Sequence, residues 1–159
     1  MRFYAYLFTA VLLTQSIGVV QATAAAPKPD LSSMNYFVGS WTCKRTKNPD
    51  KSRIGTTLHF TVANDSAGAW MVVNGSQGKT YVTQDPKTKR WISEFVGSNG
   101  DYGAGESMGW SGNTMVWKDT ITSGGDPLGS QTFTKTSATS YTSNYVQAGK
   151  TYASVCNKS

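Results

Sequence analysis

The chain has 159 residues, with 15 Lys and Arg against 9 Asp and Glu and a single His, a net charge of +6 at neutral pH. Two Cys and one His are too few soft ligands for a zinc cluster. The basic surplus, split between Lys44, Arg45, Lys47, Lys51 and Arg53 and a later group at Lys87, Lys89 and Arg90, is too thin for a nucleic-acid patch, so a solvated surface is its expected role, ahead of an anionic partner.

Residues 1–26 carry the order of a secretory signal peptide: Met1 and Arg2, an apolar run from Phe3 to Leu13 continued by Ile17 to Val20, then small residues from Ala22 to Ala26. Ala22-Thr23-Ala24 and Ala24-Ala25-Ala26 both satisfy the A-x-A rule, which places cleavage after Ala24 or Ala26. Thr9, Thr14, Gln15 and Ser16 interrupt the run short of the roughly 18 apolar residues that a membrane span needs. Export is therefore expected, to a periplasm or the outside, with 27–159 as a single domain.

Pro27-Lys28-Pro29 begins an extended lead-in to one predicted helical turn, Leu31 to Val38, which Asp30 or Ser32 can cap and which sets Leu31, Met34, Phe37 and Val38 on one side. Beyond Gly39, nine turn clusters follow at regular spacing, from Asn48-Pro49-Asp50 to Ala148-Gly149-Lys150. The segments between them are rich in Thr, Val, Tyr, Trp and Phe, and nine turns predict about ten strands. Leu58, Phe60 and Val62 alternate with Thr57, His59 and Thr61, so one face is dry and the other wet.

Short consecutive strands without crossover helices predict an all-β, closed antiparallel up-and-down barrel of about 8–10 strands, which removes the exposed sheet edges. Cys43 falls on the first strand and Cys156 on the last. In an oxidising compartment this even pair is expected to bond, and first and last strands are neighbours only if the sheet closes. A β-sandwich bridged between its sheets is the alternative.

Gly39-Ser40-Trp41, at the entry to the first strand, resembles the G-x-W entry of lipocalin-like, calycin-type barrels. The longer stretches Asn35 to Cys43, Thr83 to Trp91 and Gly109 to Trp117 resemble a group of exported bacterial proteins of unknown function, the DUF1579-like group. The resemblance implies a calycin-like barrel with Trp41 as the plug of one end, and it transfers no catalytic residue. Nitrobindin-like haem barrels have a similar entry but take a His ligand from late in the chain, whereas His59 lies on the second strand, facing away from Leu58, Phe60 and Val62. No haem, metal or other cofactor is expected.

Candidates for chemistry are sparse. There is no G-x-S-x-G elbow and no second His to build a triad. Glu94 and Glu106 are the only Glu residues and are read as rim or surface groups, and Asp101, Asp119 and Asp126 lie in or beside Gly-rich turns, where backbone capping is the expected role of at least two of them. The Gly-rich stretches lead into strands, not into the helix N-terminus that a phosphate loop requires, and are read as hairpin connections. About ten strands leave interior space, so the aromatic residues acquire a second reading besides core. Arg45, Phe60, Trp70, Tyr81, Phe95 and Trp117 are the candidate lumen residues for a small hydrophobic or amphipathic ligand, with Asn74 and Thr83 as further polar candidates. A barrel acting through its outer surface on a protein partner, and a barrel enzyme, are the alternatives; no stable membrane insertion is expected.

Overall fold

A computed structural model describes residues 27–159; the signal peptide expected over residues 1–26 lies outside the described residues. A 3-10 helix over Ser32–Phe37 precedes ten strands. They are β1 Gly39–Lys47, β2 Thr57–Asn64, β3 Met71–Gly75, β4 Gly78–Gln84, β5 Trp91–Gly97, β6 Tyr102–Ser111, β7 Thr114–Thr122, β8 Gly129–Ser137, β9 Ser140–Gln147 and β10 Lys150–Lys158. Each strand pairs antiparallel with its neighbours in sequence, and β1 pairs with both β2 and β10, which closes the barrel.

The closure rests on the cysteines. Cys43 and Cys156 stand directly opposite one another on β1 and β10, both side chains face inward, and they are joined by a disulfide across 113 residues of chain. Cross-linking so long a loop stabilises by roughly 2–5 kcal/mol, chiefly by restricting the unfolded chain. The bridge lies on the one strand pair that no hairpin turn holds together.

The hairpins follow their turn residues. Gln147 and Lys150 pair across Ala148-Gly149, both with positive φ (48° and 74°), the pattern of a type I′ turn whose twist matches the strands. Asp65 and Asp85 close their loops by accepting backbone N–H groups of Ala69 and Trp70 and of Lys87 and Thr88. Those bonds hold both carboxyls below the usual carboxylate range.

The 3-10 helix closes one end of the barrel. Asp30 accepts the Ser32 N–H at its start, and Leu31, Met34 and Phe37 are buried against the strands. Three side chains tie it down: Trp41 Nε1 donates to the Phe37 carbonyl at 2.6 Å, Trp110 Nε1 to the Ser33 carbonyl at 3.0 Å, and the Tyr36 hydroxyl to the carbonyls of Ser137 and Ser140. Trp41 is 1% exposed and packs between Tyr36, Phe37 and Tyr141, which is the plug position implied by the G-x-W entry.

Inward and outward positions alternate along the strands, as the period of two requires. His59 lies in the outer row beside Thr42, whose hydroxyl is 3.1 Å from its Nδ1. Glu94 and Glu106 also occupy outer rows, and Glu106 pairs with Arg90 at 2.8 Å.

Candidate functional site

The end opposite the 3-10 helix is open, and the barrel encloses a cavity of about 860 Å³ that reaches from that mouth to the helix. Ten strands make a circumference wider than side chains fill. Glycine adds to the space: Gly103 and Gly105 take inward positions on β6 opposite Phe95 and Ser93 and project nothing into the lumen. The Gly-rich stretch up to Gly105, read from sequence as a hairpin connection, is thus partly wall.

The lining changes with height. Its floor is Met34 and Phe37 of the 3-10 helix with Met71, Trp117 and Tyr141, beside the disulfide. Higher up the two sides differ. On β2 to β5 the wall is mostly apolar, with Leu58, Phe60, Val73 and Phe95 beside Thr80 and Ser93. On β8 to β10 it is polar, with Gln131, Ser143, Tyr145, Tyr152 and Ser154. Gln131 Nε2 donates to Ser143 Oγ at 2.6 Å across the β8–β9 pair, which satisfies two polar groups placed inside the barrel.

The mouth carries Gln77, Asp101, Asp119, Asp126 and Gln147. Asp119 projects inward from β7. Its Oδ2 accepts the Tyr145 hydroxyl at 2.6 Å and the Gly129 N–H at 2.9 Å. Gly129 is required there, because a Cβ at that position would lie 2.6 Å from the Tyr145 hydroxyl oxygen. Burial pushes the Tyr145 phenol well above its ordinary pKa, and both the hydrogen bond to Asp119 and the charge on that carboxylate add to the shift. The Tyr145 ring lies 5.9 Å from that of Tyr152, tilted by 42°.

Of the six candidate lumen residues, Phe60, Phe95 and Trp117 line the cavity. Arg45, Trp70 and Tyr81 do not. Tyr81 falls between inward Thr80 and Val82 and therefore faces out, in one row with Val72 and Glu94. Together with Trp70 and Asp65 these residues form a separate shallow depression of about 320 Å³ on the outer surface. Arg45 sits at a β-bulge on the open rim, where its Nη1 donates to Thr56 Oγ1 at 3.1 Å. Asn74 and Thr83 also lie in outer rows, Asn74 opposite Lys79 and Thr83 donating to the Ala69 carbonyl.

Tyr145 belongs to the aromatic set that the sequence offers as cavity wall, whereas Asp119, Tyr152, Gln131, Ser143 and Ser154 escape the sequence reading, because polar residues in a strand are normally assigned to the wet face. A signal exists once Cys156 is placed inward: counting back by twos gives Ser154 and Tyr152. Among the described residues no three His, Cys, Asp or Glu side chains converge in a way that could hold a metal ion.

Fold and site together define a calycin-like, closed ten-strand up-and-down barrel with an accessible lumen. No family model and no curated protein matches the chain.

Proposed function

We propose that this protein is an exported binding barrel that takes a small hydrophobic or amphipathic molecule into its lumen. The observation that carries this reading is the unfilled cavity of about 860 Å³ over an apolar floor, within the range of sites that bury a whole small ligand. Export is supported by the signal-like order of residues 1–26 and by the disulfide, a bond that persists in oxidising compartments. Among the described residues no helix is long and apolar enough to cross a membrane. The outer rows carry Lys44, His59, Lys79, Glu94, Glu106 and Lys118, unlike the apolar band of a lipid-facing barrel, which supports function away from the bilayer core. Kinship with the DUF1579-like group belongs to the same reading and rests on the Gly39-Ser40-Trp41 entry and the Asp85-Pro86 and Gly109-Trp110 stretches.

Trp117 on the lumen floor is an internal reporter. Titrating the purified protein with a ten-carbon neutral chain such as decyl maltoside, below its micelle concentration, is expected to change Trp emission with a dissociation constant on the order of 10–100 µM. Ser154→Trp narrows the lumen at mid-height and is expected to weaken that binding several-fold. An unchanged emission, together with no small molecule retained in native mass spectrometry of protein from its own host, would refute the proposal. The depression at Trp70 and Tyr81 supports a second reading, recognition of a partner by the outer surface. A stable protein partner whose binding Trp70→Ala abolishes and Ser154→Trp spares would establish it.

A further inference from the structure

The charged residues that line the lumen are Asp101, Asp119 and Asp126, with no Lys, Arg or His beside them. This runs against the composition, since basic residues outnumber acidic ones 15 to 9. Of the basic groups at that end, Arg45 is bonded to Thr56 and Arg53 lies 3.6 Å from Asp50, while Lys47, Lys79 and Lys150 stand at or near strand ends outside the lumen lining. A basic protein therefore encloses an acidic mouth.

Asp119 is the carboxylate best placed to use that field. It stands on a strand, and its Oδ2 is fixed by Tyr145 and Gly129, which leaves Oδ1 with no protein donor among the described residues. Beside it the paired rings of Tyr145 and Tyr152 face the same cavity. A carboxylate attracts an organic ammonium by charge, and aromatic rings lining the same cavity favour its polarised methyl groups. The acidic groups are too dispersed to ligate a metal ion, and a bulky organic head does not need that convergence.

We propose that the lumen takes a cationic amphiphile, whose apolar body lies over the Met34 and Phe37 floor and whose ammonium head sits at the mouth on Asp119, beside the Tyr145 and Tyr152 pair. The proposal rests on the lumen-binding reading above. A fatty acid entering tail first is disfavoured, because its carboxylate would arrive among three others.

The test compares decyltrimethylammonium, decyl maltoside and decyl sulfate, each below its micelle concentration, on disulfide-intact protein. Only the Trp emission change lost in Ser154→Trp is counted, which removes binding to surface lysines. The ammonium chain is expected to bind at least about tenfold more tightly than the neutral chain, and the sulfate least tightly. Asp119→Asn keeps an acceptor for Tyr145 and Gly129. It is expected to erase most of that preference while leaving the neutral chain within about twofold. Asp126→Asn, on the exposed rim, provides a milder variant with a loss of about two- to threefold should Asp119→Asn lower the folded yield. Equal affinity for ammonium and neutral chains, or tightest binding of the sulfate, overturns the charge assignment and leaves the lumen reading standing. If none of the three chains perturbs the emission, the lumen reading fails and the charge assignment fails with it.

Discussion

The two ends of the barrel are built on opposite principles. At the closed end Tyr36, Phe37, Trp41, Trp110, Phe133 and Tyr141 form one continuous aromatic cluster, with ring centroids 4.8 to 6.5 Å apart. The Trp41 and Trp110 N–H groups and the Tyr36 hydroxyl are spent on the backbone of the 3-10 helix and of the β8–β9 hairpin, and the Tyr141 hydroxyl lies 3.7 Å from Cys43 Sγ. At the open end the lumen stays accessible, and carboxylates, amides and hydroxyls point inward beside Leu58, Phe95 and Ile121. Stability is concentrated where the barrel is filled. The proposed recognition falls at the end that stays wet, where side chains can change without opening a hole in the core.

Truncating one aromatic at each end gives the largest measurable contrast. Trp41→Ala removes an indole that is 1% exposed, together with the hydrogen bond it donates to Phe37. The cost is expected at about 3–5 kcal/mol, enough to lower the melting temperature by roughly 10 °C or more. Tyr152→Ala at the mouth removes a half-buried ring that already borders open space, and its expected cost is about 1 kcal/mol or less. Thermal denaturation of both variants checks the difference. Similar losses would mean that the mouth is as much a part of the core as the plug is.

The tyrosines sharpen the contrast through pH. Tyr141 at the closed end is held protonated by burial, whereas for Tyr145 at the mouth the Asp119 carboxylate adds to burial. Both folded pKa values lie above the unfolded value of about 10. Their contribution to stability is therefore complete below pH 10 and is lost as the pH rises from there, because the unfolded chain ionises while the folded one resists. Tyr141 alone accounts for about 1 kcal/mol per pH unit above 10, and Tyr145, more open to solvent, for less. Following phenolate absorbance against circular dichroism, Tyr141→Phe is expected to raise the alkaline unfolding midpoint more than Tyr145→Phe. The reverse order would place the stronger constraint at the mouth.

The closed end was also the more legible of the two in sequence. Asn-, Gly- and Pro-bearing turns mark ten strands, Leu31, Met34 and Phe37 mark the plugging turn, and Cys43 with Cys156 predicts the seam. All of these are residues whose local chemistry and place in the fold agree. The mouth breaks the expectation that polar residues face water across the outer wall. Asp119 and Tyr145, with Ser154 below them, are polar and inward, and the outer wall toward the closed end departs from expectation as well, since Trp70 and Tyr81 are aromatic and outward. Side-chain type misassigns such positions, and only the register, counted from a residue already placed, corrects them. Arg45 shows where counting also stops: it keeps inward parity opposite Ser154, but the bulge that follows leaves its guanidinium on the loop hydroxyl of Thr56.

The smallest expected effect concerns the mouth loops, which are less well matched to their backbone than the plug is. Ala148 is the first residue of the β9–β10 turn, with φ of 48°, a conformation in which an L-residue's Cβ crowds its own carbonyl. Its side chain is exposed and holds no hydrogen bond, so nothing in the packing repays the strain. Asn tolerates the left-handed region and is favoured before Gly in type I′ turns. Ala148→Asn is therefore expected to stabilise by about 0.5–1 kcal/mol, a rise of a few degrees in melting temperature, with affinity for decyl chains unchanged. The direction of the binding result carries the structural point. If relieving this turn weakened ligand binding, the strain would be part of how the mouth is shaped, and stability and recognition would not be divided between the two ends.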